Sequence, residues 1–462
     1  MVPVNYDEVI AAKRRENEPS GFEASPVAGG LFPHQEAITK WACRMGRSAV
    51  FADTGLGKTR IQLEWARQVH EETSGDVLVL APLAVNQQTV AEGNEMGMRL
   101  GDRMSTAPIH VVNYDRLHQV DVSRYAGVVL DESSILKSYD GKTRTALIDA
   151  FQDTPYRMAC TATPAPNDHS ELGNHAEFLG ICTRAEMLAE FFCHDGGNTS
   201  VWKLKGHAVA DFWGWVATWA VLVRKPSDLG FTDDRYDLPA LQFETHTIPL
   251  DHTTAHAAGL LFVPTAMTLT DQRRVRKATL DQRVIEAMDI ANSDDEPCLV
   301  WCELNAESAA IAKAIPDAVE VRGSDPPEVK TERLLGFAEG RYRVLVTKPS
   351  IAGFGMNWQH CNKVVFAGLT HSYEQFYQAV RRCWRFGQKR SVTVHFIQSE
   401  ADQAIAQNLA RKSASADELA DEMLSLVRET QLESVMGLRP GTVDAADTTI
   451  QIPTWLRTEE AS

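Results

Sequence analysis

Residues 48–59 run Ser48-Ala49-Val50-Phe51-Ala52-Asp53-Thr54-Gly55-Leu56-Gly57-Lys58-Thr59. A short apolar strand enters a glycine-bearing loop that ends on Gly-Lys-Thr. Behind it Ile61, Trp65, Ala66 and Val69 fall on one face of a helix. Strand, loop and helix in this order open a βα unit. The loop N–H groups of Thr54, Gly55 and Gly57 can wrap phosphates, Lys58 can reach the β and γ oxygens, and the Thr59 hydroxyl can hold Mg²⁺. A second stretch, Gly127-Val128-Val129-Leu130-Asp131-Glu132-Ser133-Ser134, sets two carboxylates at the end of an apolar run. Asp131 is placed to hold the Mg²⁺ and Glu132 to orient an attacking water. The two stretches together imply nucleoside-triphosphate hydrolysis.

The same rhythm extends outward. Val77 to Pro82, Ile109 to Tyr114 and Arg157 to Thr161 are further short apolar runs divided by polar helical stretches. The rhythm breaks over 180–238, where Trp202, Trp213, Trp215 and Trp219 cluster with Phe191, Phe192 and Phe212. Such rings can stack bases, but the simpler expectation is the small core of a helical insertion. From about residue 240 the rhythm returns with Pro297–Cys302, Tyr342–Thr347, Lys363–Phe366 and Val392–Ile397, now with no Gly-Lys-Thr loop. Ala401 to Gln431 reads as an amphipathic helix, and the last residues are polar apart from Ile450, Ile452, Trp455 and Leu456. Short runs alternating with helices mean parallel sheets covered on both faces, an α/β class. The expected divisions are an N-terminal arm 1–27, a first lobe 28–179, the Trp-rich insertion 180–239, a second lobe 240–415 and a tail 416–462.

Composition narrows the function classes. At 462 residues, 44% of them hydrophobic, the chain has room for two or three cores. No apolar run reaches the roughly 18 residues of a membrane span, and the charged N-terminus lacks a signal-peptide core. A cytoplasmic protein that binds no membrane is expected. The eight cysteines are scattered, with no C-x-x-C pair, and read as buried reduced thiols rather than disulfides or zinc ligands. The net charge of −16 argues against a surface coated with nucleic acid, though not against a local basic groove. Two basic runs qualify for one: Arg273 to Lys277, otherwise a solvated helix face, and Arg381 to Arg390.

Three more stretches follow the carboxylates in order. They are Cys160-Thr161-Ala162-Thr163-Pro164-Ala165-Pro166-Asn167, then Gly353-Phe354-Gly355-Met356-Asn357, then Gln378-Ala379-Val380-Arg381-Arg382-Cys383-Trp384-Arg385-Phe386-Gly387-Gln388. With this set the sequence, from about Leu31 to about Gln398, resembles the superfamily-2 helicase motors, and within them the Swi/Snf-type DNA translocases. The T-x-T-P-x-x-N and Q-A-x-x-R-x-x-R-x-G-Q forms fit that branch, as do Arg224-Lys225 before Leu238-Pro239 and Arg322-Gly323-Ser324 before Arg333 and Phe337. The length is similar to short versions encoded by bacteriophages.

The resemblance implies two RecA-like lobes with ATP and Mg²⁺ in the cleft between them. It implies that Gln35 reads adenine, that Thr54, Gly55, Gly57, Lys58, Thr59 and Gly355 bind nucleotide, and that Thr59 and Asp131 hold the metal. Lys58, Asp131 and Glu132 would be catalytic together with Arg382 and Arg385 as arginine fingers. Thr161, Thr163 and Asn357 would couple nucleotide state to nucleic acid. The implied partner is double-stranded or branched DNA, engaged by a monomer. The alternatives are a strand-separating DNA or RNA helicase and a nucleotide-switched scaffold without productive hydrolysis. Two departures stand out: Ser133-Ser134 follows the carboxylates where Ala-His or Ala-Asp is usual, and Pro349 with Ile351-Ala352 replaces the usual Thr and Ala-Gly.

Overall fold

The computed structural model describes residues 18–436 apart from 28, 84, 138–140, 166–167, 196–197, 234–235, 250–268, 353–355, 370–371 and 400–401. Gly355, most of the N-terminal arm and the apolar residues after 449 therefore lie outside the described residues.

Two parallel sheets organise the chain. The first contains β1 (Arg47–Ala52), β2 (Asp76–Ala81), β3 (Leu100–Gly101), β4 (Ile109–Asn113), β5 (Tyr125–Asp131), β6 (Tyr156–Thr161) and β9 (Ala220–Val223), in the order β3-β4-β2-β5-β6-β1-β9. Between the last two in sequence, β7 (Phe192–Asp195) and β8 (Asn198–Leu204) form an antiparallel pair of their own. The second sheet contains β10 (Leu241–Ile248), β11 (Cys298–Trp301), β12 (Ala318–Glu320), β13 (Val344–Thr347), β14 (Lys363–Phe366) and β15 (Val392–Ser399), in the order β10-β15-β14-β11-β13-β12. Every pairing in both large sheets is parallel. Parallel strands bury both faces, which is why their sequences are continuous apolar runs. Ala49 and Phe51 of β1 enter the core on one side, and Val50 and Ala52 enter the core on the other. The order β5-β6-β1 sets the ends of three strands side by side, so Asp131, Thr161 and the loop after Ala52 become neighbours.

The expectation of a helical insertion at 180–239 needs correction. Among the described residues α-helices cover only Arg184–Phe191 and Val209–Ala217; the β7–β8 pair lies between them, and β9 completes the first sheet beside β1. Ala220-Val221-Leu222-Val223 is short, apolar and rich in branched side chains, and that composition suits a buried strand better than the end of a helix. The tryptophans are core, as the simpler reading held. Trp213 and Trp219 are fully buried, and the Trp219 ring meets Trp215 at 5.3 Å and Phe51 of β1 at 6.1 Å. Trp219→Ala should therefore cost about 3–5 kcal/mol, seen as a lower melting temperature in thermal denaturation. Unchanged stability would mean that this ring does not support the sheet.

The expected boundary at 415/416 falls inside one helix, Gln403–Met436. Its start packs on the second sheet through Ile405 and Leu409, and its end on the first lobe through Met423, Val427 and Val435. There the Gln431 Oε1 accepts from the Leu222 N–H at 3.0 Å, and the Trp41 indole donates to the Ser434 hydroxyl at 2.8 Å. This helix ties the two lobes together from behind. No helix among the described residues is long and apolar enough to cross a membrane. All eight cysteines are free thiols, six of them buried.

Candidate functional site

The loop after β1 turns through two glycines with left-handed backbone, Gly55 at φ 91° and Gly57 at φ 81°. Space demands glycine as well. A Cβ on Gly57 would lie 2.1 Å from the Gln35 Nε2, and one on Gly55 would lie 3.0 Å from the Phe386 backbone of the other lobe. The helix Lys58–Thr73 starts here with its free N–H groups facing the loop, a ready anion site. The Lys58 ammonium donates to the Ala52 and Asp53 carbonyls at 2.8 and 3.3 Å. Burial outweighs the attraction of Glu132, Asp53 and Asp131 and holds it below its ordinary pKa. Gln35 is buried, its Oε1 accepting from the Phe32 N–H and its Nε2 donating to the Leu56 carbonyl, both at 3.0 Å.

At the end of β5, burial and then the adjacent Glu132 push the Asp131 carboxyl up to about 6. Asp131 Oδ1 accepts from the Gln62 amide at 2.8 Å. Glu132 sits in the left-handed region at φ 55°, a conformation that costs a non-glycine residue about 1–3 kcal/mol and that collects at functional sites. The Thr161 hydroxyl donates to Glu132 Oε2 at 3.3 Å and accepts from the Thr163 N–H at 3.1 Å. The link between the carboxylates and the Thr161–Thr163 segment thus runs through Glu132. Ser133 bonds instead to the His175 ring at 3.1 Å, and Ser134 is buried.

The second lobe faces these groups. Arg382 is buried, donating to the Gln378 carbonyl, to the Gln378 Oε1 and to the Met356 carbonyl at 2.9, 2.7 and 3.2 Å. Arg385 donates to the same Met356 carbonyl at 3.4 Å. Burial, followed by the charge of Arg382, draws the Arg385 guanidinium down to about 9. Each arginine therefore sits where a negative charge would be welcome. One cavity of about 390 Å³ is lined by Gln35, Thr54, Gly55, Gly57, Lys58, Thr59, Asp131 and Glu132 from the first lobe, and by Asn357, Arg382, Arg385 and Phe386 from the second. Of the residues singled out in sequence, Thr161 and Thr163 stand behind this lining. The Thr163 hydroxyl and the Asn357 Oδ1 are buried without a hydrogen-bond partner among the described residues.

Residues 280–387 match the helicase conserved C-terminal domain. The matched stretch makes up most of the second lobe. The chain is also similar to the Sulfolobus solfataricus SWI2/SNF2 ATPase core, a structure solved in complex with dsDNA. The identity is 18% and the TM-score 0.41, over 90% of this chain and 98% of that one.

The second lobe reaches the phosphate loop through residues that sequence reasoning missed. Asp53 Oδ1 accepts from the Tyr377 hydroxyl at 2.5 Å, and Asp53 Oδ2 pairs with Arg381 at 2.9 Å. Burial works to raise the Asp53 carboxyl, but Arg381, Tyr377 and the Thr54 N–H together keep it below its ordinary pKa. Arg381 also lies over the Trp384 ring at 4.4 Å. Glu374 pairs with Lys137, and Phe386 meets Phe32 at 5.9 Å and Tyr236 at 4.8 Å. Tyr377 and Arg381 stand four apart, on one face of a helical turn. That spacing was the available signal; Arg381 read simply as part of a basic run.

The two basic runs differ in exposure. Arg381 and Arg382 are buried, and Arg390 pairs with Glu296 at 2.5 Å. In the first run Arg276 is buried against Asp402 at 3.1 Å, while Arg273, Arg274 and Lys277 are exposed on the helix Leu269–Ala278, as the solvated-face reading held.

Proposed function

We propose that this chain is an ATP-driven motor that moves on duplex or branched DNA and hydrolyses ATP between its two lobes. The observation that carries this reading is a cavity lined from both lobes, with Lys58, Thr59, Asp131 and Glu132 opposite Arg382 and Arg385. The polar groups divide the work. The loop N–H groups and Lys58 hold the phosphates. Glu132, aimed by its left-handed backbone and by Thr161, orients and deprotonates the attacking water. Arg382 and Arg385 take up the charge that develops on the transferring phosphoryl group, for which a permanently charged planar guanidinium is suited. Phe32 and Phe386 line the Gln35 end of the cavity and offer faces for the adenine.

The donor set fits Mg²⁺. The Thr59 hydroxyl and the Asp131 carboxylate are hard oxygen ligands, and the raised Asp131 carboxyl marks a buried pair of carboxylates that a cation would relieve. When bound there, the ion would neutralise part of the phosphate charge.

The Asp53–Tyr377–Arg381 contact makes the position of the phosphate loop depend on the position of the second lobe. Opening the cleft would break a largely buried ion pair, so the lobes would move in discrete steps rather than by sliding. Duplex DNA as the track rests on the Thr161–Asn167 and Gln378–Gln388 stretches.

Steady-state ATP hydrolysis with no nucleic acid, duplex DNA, single-stranded DNA and RNA, at matched nucleotide concentrations, tests this reading. Duplex DNA should stimulate most. With binding carried by phosphate contacts on an acidic chain, raising salt from about 50 to about 200 mM should remove most of the stimulation through counterion competition. Stronger stimulation by single-stranded RNA would overturn the duplex-DNA motor in favour of an RNA helicase.

A further inference from the structure

At the β10 edge of the second sheet, among residues that do not line the nucleotide cavity, Glu244 and His246 of β10 meet His395 of β15. The strands are parallel, and the register pairs Glu244 with His395. His246 lies two residues beyond Glu244, so all three side chains leave the same face of the sheet. The helix Leu280–Ala291 covers that face and brings Glu286 to it.

The contacts fix the proton inventory. The Glu286 carboxylate lies 2.7 Å from the His246 Nδ1 and accepts its hydrogen. A neutral His246 then carries a lone pair on Nε2. That lone pair points at the His395 Nδ1 from 3.1 Å, and the Glu244 Oε2 points at the same nitrogen from 3.3 Å. One hydrogen on His395 Nδ1 thus serves two acceptors. The three atoms lie within 4.8 Å of one another. Two ligands about 2.1 Å from a tetrahedral zinc ion stand about 3.4 Å apart, close to the 3.1 and 3.3 Å that separate the His395 Nδ1 from the other two atoms.

We propose that Glu244, His246 and His395 bind one divalent transition-metal ion of the zinc class, which takes the place of the hydrogen on His395 Nδ1. That hydrogen passes through solvent to Nε2 of the same ring, so His395 stays a neutral imidazole with its Nδ1 lone pair on the metal. Glu286 is a positioning residue: its bond to Nδ1 holds His246 in the tautomer that a metal needs, the carboxylate–histidine arrangement common behind metal ligands. Two imidazoles and one carboxylate select zinc, nickel or copper over magnesium, so this site and the nucleotide cleft take different ions. The Glu244 side chain is 54% exposed, which leaves an entry path and room for a water as fourth ligand. Bound metal would pin the edge strand β10, the first strand after the junction between the lobes, to β15.

The test uses the full chain, freed of metal by a chelator and kept without nucleotide. It is titrated with Co²⁺, whose visible absorption reports its coordination, and then with Zn²⁺ as competitor. One saturable site in the micromolar range is expected, with Zn²⁺ displacing Co²⁺. His395→Ala should abolish it. Glu244→Gln alters an exposed carboxylate that the fold does not need, so it provides the reading even if His395→Ala fails to fold; it should weaken binding at least tenfold. Glu286→Gln should weaken binding about 10–100-fold while leaving the stoichiometry at one. Two results overturn the proposal: no saturable binding to the wild-type chain, or binding unchanged in Glu244→Gln and His395→Ala. In either case the cluster is a hydrogen-bonded triad only.

Discussion

Arg385→Ala should lower nucleic-acid-stimulated ATP hydrolysis by about 10³–10⁵-fold, the range that an arginine finger contributes. ATP and DNA binding should survive. The side chain stands on the second lobe, opposite Lys58 and Glu132, and among the described residues its one side-chain hydrogen bond is the long one to the Met356 carbonyl. Little of the fold depends on it. Measuring phosphate release with saturating duplex DNA, alongside ATP affinity, separates the two effects. A variant that keeps full stimulation would show that the phosphoryl charge is met elsewhere.

Lys58 and Glu132 should fail in different ways. Lys58→Ala removes the ammonium that the first lobe offers to the phosphates, so ATP binding and turnover should both fall. Glu132→Gln keeps the size and the hydrogen bonding but loses the base, so binding should persist while turnover drops by about 10³ or more. Equilibrium nucleotide binding and single-turnover hydrolysis on both variants give the comparison. Near wild-type hydrolysis by Glu132→Gln would remove Glu132 from the water-orienting role.

The parts of this molecule that were legible in sequence are local ones. The Gly-Lys-Thr loop, the Asp131-Glu132 pair and the apolar runs each declare themselves within about ten residues, because strand, turn and helix start are short-range patterns. Two parallel sheets followed from their alternation. What stayed hidden depends on distant pairing. β9 is four residues long and follows a run of tryptophans that reads as helix; only β1, some 170 residues earlier, gives it a partner. The return of the helix Gln403–Met436 to the first lobe needed Trp41, Leu222 and the tryptophan core in place. The Asp53–Tyr377–Arg381 contact joins residues more than 320 positions apart, and there is nothing in either neighbourhood that names the other. The run Arg381 to Arg390 was opaque for the same reason: a count of charges carries no information on which are buried or paired.

The central claim is that one phosphoryl group is held from both lobes at once. The affinity of ADP with aluminium fluoride, a mimic of the transferring group, tests it most directly when compared with the affinity of ADP alone in the wild type and in Arg385→Ala. The account predicts that the variant loses about 10²-fold or more in affinity for the mimic and almost nothing for ADP, because the finger meets only the charge of the transition state. Equal affinity of wild type and variant for the mimic would contradict it.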